Sequence, residues 1–592
     1  MCDMGVREGV MVDVSGGIVA SRERAGYLRQ AVGLNSNRRL QQHVSWAIIA
    51  LLTTFVMASF WAYEGIFANV VFTAATTTAL AALLAAVTRK ALMPVVSVSL
   101  LVVLINAVAS AKQKNLGMVL HAYDIVFYLS SWSTVSYLWS AARGYLLILA
   151  VTVLVMGLLI WLSWRLDGTR VRRLHAAGLF GLCVALAVFT GLFKPDRRQT
   201  QFYWDALYVS SFYSSWAETL ETLWRGQLIE SATAASGPAF AFGGACQPTK
   251  KPPHIILIHE ESLVQPSLFP QLAYDRRVDP LFQSDDGRTH KMRVETYGGA
   301  SWLTEFSILT GLSTHSFGGM RPFVQSLLAG RVRDTLPETL ERCGYRNVLF
   351  YPMLKNFVSN ARFYDAIGLR EIFDSTAQGA KSATERDRFY FGNALDEMER
   401  HVKTSDKPLF TYIQTMSAHW PYNYAYEPEM QVQGGGAGTD PEMHEYLRRV
   451  AIAKIDYDWL KADLKRRFPN EPVLLVHYGD HHPMATRKLL GFREETDVEE
   501  VAIDQQSIGY ITYYAVEALN FEAPKLPPMD IVDVPYLGAI MLQQAGLPLT
   551  EPYRERLRLM AACDGRYHSC SRRQEILAFH RRLIDSHLID QR

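Results

Sequence analysis

The sequence predicts a multi-span α-helical membrane domain followed by an α/β domain. Long apolar runs occupy residues 44–193, whereas from residue 254 onward apolar runs of strand length alternate with segments of helical periodicity. The chain of 592 residues is long enough for both parts, and the second part alone can bury a sizeable core. We therefore expect four regions: a cytoplasmic leader at 1–43, a transmembrane domain at 44–193, a linker at 194–250 and an extracytoplasmic domain at 251–592.

Five stretches of the first part are long and apolar enough to cross a bilayer, which takes about 20 predominantly apolar residues. They are 44–63, 66–88, 91–111, 143–164 and 174–193. The polar leader of 43 residues before the first stretch is too long for the start of a cleaved signal peptide. The first stretch is therefore predicted to remain in the membrane as an anchor.

The distribution of Lys and Arg predicts the orientation, because these residues concentrate on the cytoplasmic side of membrane proteins. They occur in the leader, after the second stretch and after the fourth, and these places share one side when the stretches alternate. An odd number of crossings then delivers residues 194–592 to the outside. Arg197 and Arg198, which follow the fifth stretch, depart from this pattern.

The segment 112–142, between the third and fourth stretches, is rich in Trp and Tyr. These residue types suit the lipid–water interface, and an amphipathic helix on the outer leaflet would suit a substrate that is itself a lipid. An ordinary packed loop explains the same composition, so both interpretations stay open.

Charge and cysteine spacing exclude some classes of protein. The net charge is +2 and no block of Lys and Arg is interleaved with aromatic residues, so no nucleic acid partner is expected. No Cys-x-x-Cys pair or zinc-knuckle spacing occurs, so a structural zinc site is not expected. Cys563 and Cys570 flank a polar loop of six residues and are predicted to form a disulfide in an oxidising compartment.

Alternating strands and helices in the second part predict a doubly wound α/β sheet. The predicted strands are 254–260, 347–352, 409–416, 473–479 and 508–516, and two of the helices between them are predicted at 335–344 and 442–466. In such sheets the chemistry lies at the carboxyl ends of the strands.

Polar residues follow two of these strands, and a glycine turn precedes an apolar helix. The residues concerned are Glu260, Glu261 and Ser262 after the first strand, Asp480, His481 and His482 after the fourth, and Ser301 and Thr304 near the helix start. Carboxylates and imidazoles can hold a divalent cation, which lowers the pKa of a serine or threonine hydroxyl. A helix start also favours an anionic phosphate. Because alternate residues of a strand face opposite sides, only one of the two glutamates is expected to reach the metal.

These motifs resemble the membrane-bound phosphoglycerol and phosphoethanolamine transferases, especially the lipoteichoic acid synthase type of the sulfatase and alkaline phosphatase superfamily. The resemblance rests on ILIHEES, GGASWLTEF and YGDHHP, and on five spans followed by an outside domain. It implies metal ligation by Glu261, Ser301, Asp480 and His481, with Ser301 as the nucleophile. Because that family usually has a threonine at this place, Thr304 stays as the alternative nucleophile.

The segment MSAHWPY (416–422) resembles a substrate-contacting segment of the same family. It implies that His419 contacts the substrate phosphate with Trp420 nearby, and His482, beside the metal motif, is a further substrate-binding candidate. The histidines at 259, 444 and 477 could contact substrate or a second metal, although a packed or solvated residue is the favoured interpretation of each.

The resemblance implies a metal-dependent enzyme that moves a phospholipid head group, with phosphoglycerol favoured, onto a glycan or glycolipid acceptor through a covalent Ser or Thr intermediate. It implies one divalent ion, Mn²⁺ or Zn²⁺ with Mg²⁺ as a third option, and a multi-pass protein of the bacterial inner membrane with its catalytic domain outside.

Three alternatives to this function stay open. One is phosphoethanolamine transfer by the same fold, the second is a membrane-tethered phosphodiesterase or sulfatase-like hydrolase, and the third is a non-catalytic lipid-binding or regulatory protein. The residues 301–305, SWLTE, lack the Cys/Ser-x-Pro/Ala-x-Arg pattern of a sulfatase nucleophile.

Overall fold

The computed structural model describes residues 15–64, 67–116, 120–128, 132–192, 208–234, 237–241, 246–248, 250–355, 360–491 and 507–591. They fall into two compact units. The membrane unit comprises Met1–Ala111, Gly144–Pro195 and Ala206–Tyr213, and the soluble unit includes Lys112–Arg143 and Ser214–Arg592. The first 14 residues of the predicted leader, as well as Arg197 and Arg198, lie outside the described residues.

Five helices dominate the membrane unit: α1 (Ser15–Tyr63), α2 (Phe67–Thr88), α3 (Leu92–Leu116), α4 (Trp132–Leu166) and α5 (Arg173–Leu192). All five contain a segment long and apolar enough to cross a membrane, at Arg39–Tyr63, Phe67–Thr88, Leu92–Lys114, Arg143–Leu166 and Arg173–Gly191. The predicted spans are confirmed to within about five residues at each end. The chain is thus a multi-pass membrane protein.

Small residues line the packed face of α2, which lies against α5. Alanines at positions 75, 79, 82 and 85 are buried, and small side chains let helix backbones approach closely in a membrane. The carboxylate of Glu64, also buried, accepts hydrogen bonds from the backbone N–H groups of Val209 and Ser210, which begin helix α6 (Tyr208–Arg225). A carboxylate at a helix start satisfies N–H groups that have no partner within the helix.

The structure favours a packed arrangement for the described part of segment 112–142. Tyr123 is buried, and its ring stacks on that of Phe323 in the soluble unit with centroids 5.1 Å apart. Residues 132–142 are the first turns of helix α4 rather than a separate interfacial helix. Residues 117–119 and 129–131 lie outside the described residues.

An eight-stranded mixed sheet forms the centre of the soluble unit. The strands are β1 (His254–Glu260), β2 (His290–Arg293), β3 (Arg346–Phe350), β4 (Glu371–Phe373), β5 (Leu409–Gln414), β6 (Val473–Gly479), β7 (Ile511–Leu519) and β8 (Ile531–Asp533). Their order is β4-β3-β5-β1-β6-β7-β2-β8. Strand β1 is parallel to its neighbours β5 and β6, and only β7 runs in the opposite direction. The predicted α/β architecture is confirmed, with this one reversed strand.

Helices cover both faces of the sheet. They are α7 (Ser301–Thr310), α8 (Val324–Leu328), α9 (Leu336–Arg342), α10 (Asn360–Ala366), α11 (Asp387–Thr404), α12 (Pro441–Arg467), α13 (Leu537–Gln544), α14 (Glu551–Ala562) and α15 (Arg573–Asp585). Helices α9 and α12 correspond to the two segments predicted from periodicity.

Strand β1 is buried along its whole length, and its residues alternate between two hydrophobic cores. Ile255 and Leu257 pack into the core that contains helices α7 and α13, whereas Ile256 and Ile258 pack into the core that contains α11 and α12. This alternation directs the odd-numbered residues at the end of the strand towards α7.

Two disulfides link parts of the soluble unit, Cys246–Cys343 and Cys563–Cys570. The second was predicted and is confirmed. The pairs are 97 and 7 residues apart in sequence, so the chain-entropy estimates of their stabilisation are about 4.7 and about 2.4 kcal/mol. We expect replacing Cys246 and Cys343 together with serine to lower the free energy of unfolding more than the corresponding change at Cys563 and Cys570. Urea unfolding followed by fluorescence measures both, and equal losses would contradict the expectation.

Candidate active site

Three chain segments meet at the carboxyl ends of β1 and β6. Glu261 directly follows β1, Asp480 and His481 directly follow β6, and Ser301 is the first residue of α7. Since β1 and β6 are parallel neighbours, the residues that follow them emerge side by side at one edge of the sheet.

A tight turn presents Ser301 to the two strand ends. Gly298, Gly299 and Ala300 all have positive φ, at 71°, 154° and 63°. The backbone N–H of Gly298 donates to the carbonyl of His482, which ties this turn to the loop after β6. Alanine with left-handed backbone geometry is strained, and such strain is concentrated at functional sites. The turn thus places the serine hydroxyl at the N-terminus of a ten-residue helix.

The side chains of these segments lie within contact of one another. The Ser301 hydroxyl donates to Glu261 Oε2 over 3.0 Å and lies 3.4 Å from His481 Nε2. His481 Nε2 is also 3.5 Å from Glu261 Oε1 and 3.2 Å from Asp480 Oδ2. All but Ser301 are buried. The structure therefore brings together the four residues predicted as metal ligands.

Backbone contacts orient Asp480 and His481. Asp480 Oδ1 accepts hydrogen bonds from the backbone N–H groups of Ser262 (2.8 Å) and His481 (2.9 Å). Oδ2 of the same carboxylate is buried and has no hydrogen-bond partner among the described residues. His481 Nδ1 lies 2.9 Å from the carbonyl oxygen of His482, so this nitrogen carries the proton and the lone pair of Nε2 faces the cluster.

His259 joins the cluster from β1. With Glu261 and Asp480 it forms a buried group whose nearest ligand atoms all lie within 4.8 Å of one another. Its Nε2 is 3.1 Å from Asp480 Oδ2 and 3.7 Å from Glu261 Oε2. The sequence interpretation as an ordinary packed histidine did not anticipate this position. The signal that could have indicated it is the two-residue spacing from Glu261, which puts both side chains on one face of the strand.

The electrostatics of the cluster keep the Glu261 carboxylate charged. Burial alone would raise the pKa of Glu261, but the nearby imidazoles of His259, His481 and His419 hold it well below its usual range. Burial alone would lower the pKa of His259, but Asp480 and Glu261 raise it well above its usual range. Two carboxylates facing imidazoles are a donor set suited to Zn²⁺ or Mn²⁺.

The residues present fit a divalent cation, judged by the partnerless Oδ2 of Asp480 and by the outward lone pair of His481 Nε2. The carboxylate of Glu260 takes no part, because it lies on the opposite side of the strand. It is 3.4 Å from the Thr415 hydroxyl and 3.9 Å from His477 Nδ1, and burial raises its pKa well above the usual value. The register expected for the two glutamates agrees with this arrangement.

Thr304, the alternative nucleophile, points elsewhere. Its side chain is fully buried, and its hydroxyl donates to the backbone carbonyl of Asp480 over 2.8 Å. It stands three residues into α7, almost one turn beyond Ser301. This arrangement suits a residue that supports the loop after β6 rather than one that attacks a substrate.

His482 is held by protein contacts on both ring nitrogens. Its Nε2 lies 2.7 Å from the carbonyl of Ile511 and its Nδ1 lies 3.3 Å from the Thr486 hydroxyl. The imidazole is fully buried, and burial lowers its pKa to about 4. A neutral histidine with both nitrogens engaged has no ring atom left for a substrate.

His419 and Trp420 lie on a loop after β5. His419 is half-buried and close enough to Glu261 to lower that group's pKa, whereas the Trp420 side chain is 54% exposed. The exposed indole leaves an aromatic surface open to solvent next to the half-buried imidazole in sequence.

A buried arginine of α12 holds this loop. Arg449 donates from Nη1 to the carbonyl of His419 (2.6 Å), from Nη2 to that of Pro421 (2.8 Å) and from Nε to Glu445 Oε1 (2.9 Å). Its guanidinium also lies within about 5 Å of three aromatic rings, those of Tyr422, Tyr424 and Tyr426. The loop that carries His419 is thereby fixed to the helix.

We expect Arg449→Met to lower the free energy of unfolding of the soluble unit by about 3 kcal/mol. This value is at the lower end of the loss on breaking a buried ion pair, because Arg448 still pairs with Glu445. Activity should fall as well, with the larger change in KM, since His419 loses its support. Thermal unfolding and steady-state kinetics measure the two effects. The control is Arg466→Met, at a largely exposed arginine whose partner Asp463 keeps its pairing with Arg467, where we expect less than about 0.5 kcal/mol. Similar losses in both variants would contradict the role of Arg449.

Comparison with known families identifies the soluble domain. Residues 253–503 match the family model of the sulfatases. This span contains β1, β6 and all the clustered residues described above. The match covers less than half of the chain and agrees with the sulfatase-type resemblance of its motifs.

Three similar proteins match different shares of the chain. A protein of Haemophilus influenzae described as uncharacterized is 21% identical over 325 residues, which are 53% of this chain and 56% of that relative, so the match spans about half of the relative's length. The phosphoglycerol transferase GacH of Streptococcus pyogenes, solved with sn-glycerol-1-phosphate, has 17% identity and a TM-score of 0.44, covering 57% of this chain and 85% of that structure.

A third similar protein includes membrane helices. The integral membrane lipooligosaccharide phosphoethanolamine transferase A of Neisseria meningitidis has 13% identity and a TM-score of 0.46, covering 88% of this chain and 99% of that structure.

Proposed function

We propose that the protein is a membrane-bound, metal-dependent transferase that moves a phospholipid head group onto a glycan or glycolipid acceptor through a covalent Ser301 intermediate. The observation that carries this proposal is the position of the Ser301 hydroxyl. It lies at the N-terminus of α7, 3.0 Å from Glu261 and 3.4 Å from His481, at the edge of the sheet.

One divalent ion, Mn²⁺ or Zn²⁺ with Mg²⁺ as a third option, would be held by Glu261, Ser301, Asp480 and His481. When bound, it supplies Lewis acidity that lowers the pKa of the serine hydroxyl and neutralises phosphoryl charge. The roles of the protein groups are to keep the Glu261 carboxylate charged, to fix the tautomer of His481 and to aim the Ser301 hydroxyl.

In the first step the Ser301 oxygen forms a bond to the phosphorus of the donor lipid, and the bond from phosphorus to the diacylglycerol oxygen breaks. The proton of the serine hydroxyl is transferred and ends on the released diacylglycerol. In the second step an acceptor hydroxyl attacks the same phosphorus, the Ser301–phosphorus bond breaks, and the acceptor proton returns to the serine. One phosphoester is exchanged for another, and no oxidant or reductant is needed.

Other groups bind the phosphate while these bonds change. The N-terminus of α7 directs backbone N–H groups towards a phosphate on Ser301. His419, anchored by Arg449, would donate to a non-bridging oxygen where negative charge develops. Trp420 would contact the head group or the acceptor from the exposed side of the loop.

The membrane unit supports the choice of a lipid donor. A phospholipid presents its head group at the surface of the bilayer in which the five helices reside, so a membrane-anchored enzyme suits a lipid donor. The Lys and Arg distribution supports an orientation with the catalytic domain on the periplasmic or extracellular side. The membrane that we propose is the bacterial inner membrane. Phosphoglycerol is favoured over phosphoethanolamine because the chain has TEFSILTGL after the nucleophile turn and only four cysteines from residue 194 onward, unlike the phosphoethanolamine branch.

A donor assay tests the proposal. The full chain in detergent or liposomes is incubated with fluorescent phosphatidylglycerol or phosphatidylethanolamine and with each divalent metal, and diacylglycerol release is measured. We expect metal-dependent release from one lipid, which identifies the donor. Steady release that no added acceptor accelerates, with no head-group adduct on the enzyme in mass spectrometry, would identify a hydrolase. No release from either lipid by folded protein would contradict the proposal.

A further inference from the structure

His259 is a histidine inside a buried strand whose neighbours at Ile258 and Leu257 belong to the hydrophobic cores. A buried imidazole needs partners for its ring nitrogens. Nδ1 lies 3.1 Å from the Tyr478 hydroxyl, which is itself 2.8 Å from the Tyr412 hydroxyl. The ring is thus held from behind, and its second nitrogen, Nε2, faces Asp480 and Glu261.

The approach of His259 Nε2 to Asp480 does not have hydrogen-bond geometry. The two atoms are 3.1 Å apart, yet Asp480 Oδ2 has no hydrogen-bond partner among the described residues. The same oxygen lies 3.2 Å from His481 Nε2, again without forming a hydrogen bond. Two imidazole nitrogens therefore flank one partnerless, buried carboxylate oxygen.

These spacings are those of ligands around a single ion. Ligand atoms bound at about 2.0–2.2 Å lie roughly 2.8–3.8 Å apart when neighbouring bonds open at about 90–120°. His259 Nε2 is 3.1 Å from Asp480 Oδ2 and 3.7 Å from Glu261 Oε2, and the Ser301, Glu261, Asp480 and His481 atoms are separated by 3.0–3.5 Å where they adjoin. The distances of His259 fall in the same range as those of the other four residues.

The hydrogen-bonding pattern of His259 also matches that of His481. Metal-bound histidines donate the other ring N–H to an oxygen, which fixes the tautomer and the ring orientation. His481 does so through Nδ1 to the carbonyl of His482, and His259 can do so through Nδ1 to Tyr478. Each places its Nε2 beside the same oxygen, Asp480 Oδ2, at 3.1 Å for His259 and 3.2 Å for His481.

We propose that His259 is a fifth protein ligand of the catalytic cation, which completes a set of two imidazoles, two carboxylates and one hydroxyl. The proposal rests on the metal-dependent function given above. A second imidazole favours Zn²⁺ over Mn²⁺ and Mg²⁺, because nitrogen ligands suit the later metals of the first row. His259 would thus set the choice of metal as well as the affinity.

Counting the imidazoles on a bound ion tests this directly. The full chain in detergent is stripped of metal and loaded with Cu²⁺ as a spectroscopic probe, and pulsed electron paramagnetic resonance reads the nitrogen couplings. We expect two imidazoles in the wild type and one in His259→Gln. The matched control is His477→Gln, a buried histidine of β6 outside the cluster, which should retain two.

Zn²⁺ and Mn²⁺ affinities, measured by competition with a chelator, give a second readout. We expect His259→Gln to bind Zn²⁺ at least roughly 10-fold more weakly, since even a second-shell partner contributes about 10–100-fold, and to lose part of its preference for Zn²⁺ over Mn²⁺. The imidazole count separates a true ligand from such a second-shell partner.

A third variant keeps the test decisive should His259→Gln fail to fold. His481→Gln should retain one imidazole when His259 is a ligand and none when it is not. The inference would be overturned if the wild-type ion carries one imidazole and this count stays at one in His259→Gln or falls to none in His481→Gln. Either result would leave the proposed function intact. A wild-type protein that binds no divalent ion would instead contradict the proposed function itself.

Discussion

Replacing Ser301 with alanine is expected to lower metal-dependent release of diacylglycerol by roughly 10⁴-fold or more, because a covalent nucleophile acts as a unit with its activating groups. The hydroxyl lies 3.0 Å from Glu261 and 3.4 Å from His481, and no other hydroxyl of α7 faces the cluster among the described residues. Loss of one half-buried hydroxyl should leave the fold unchanged. Release from fluorescent lipid, together with mass spectrometry of the trapped head-group adduct, measures the effect.

The matched control for Ser301 is Thr304→Val. The Thr304 hydroxyl is bonded to the Asp480 carbonyl, so its loss should destabilise the protein by about 1 kcal/mol and reduce release by less than about ten-fold. Ser301→Thr should retain part of the activity because it keeps a hydroxyl at the same place. An inactive Thr304→Val variant beside an active Ser301→Ala variant would assign the nucleophile to Thr304 instead.

Long, strongly patterned elements could be predicted from the sequence. The β1 and β6 segments are continuous apolar runs, and both strands occur over the predicted residues. Because the chemistry of such sheets lies at strand ends, the sequence also indicates Glu261, Asp480 and His481, which the structure brings together. Three strands were not predicted, namely β2, β4 and β8, because three or four residues are too few to show alternation.

Contacts between distant segments could not be predicted. Whether Thr304 or Ser301 faces the cluster depends on the left-handed turn at Ala300, which propensity does not reveal. His482 follows two metal-ligand candidates in sequence, but its Nε2 contacts the carbonyl of Ile511 instead of joining the cluster. His259 resembled a packed residue because its neighbours are apolar, and only the pairing of β1 with β6 brings it to Asp480. The spacing of His259 from Glu261 indicates a shared face of the strand, but the contacts themselves depend on tertiary packing as well as on local sequence.

Asp480→Asn is expected to abolish both metal binding and metal-linked stability. Asp480 Oδ1 is bonded to two backbone N–H groups and Oδ2 faces His259 and His481, so the substitution preserves shape but removes the charge that the cation needs. Metal affinity should fall by more than the roughly 10–100-fold typical of second-shell changes. In the wild type, metal at 100 times its dissociation constant should raise the free energy of unfolding by about 2.7 kcal/mol, and the variant should lose most of that gain.

The control for Asp480 must separate loss of a ligand from loss of a buried carboxylate. Asp456→Asn removes a fully buried aspartate that pairs with Arg386 and Arg388, away from the cluster. Breaking that pair should destabilise the metal-free protein, while the extra stability on adding metal should persist unchanged. Thermal unfolding of both variants with and without Zn²⁺ makes the comparison. A full metal-linked gain in Asp480→Asn would mean that the ion does not bind at the ends of β1 and β6, and the proposed chemistry would then lack its activating charge.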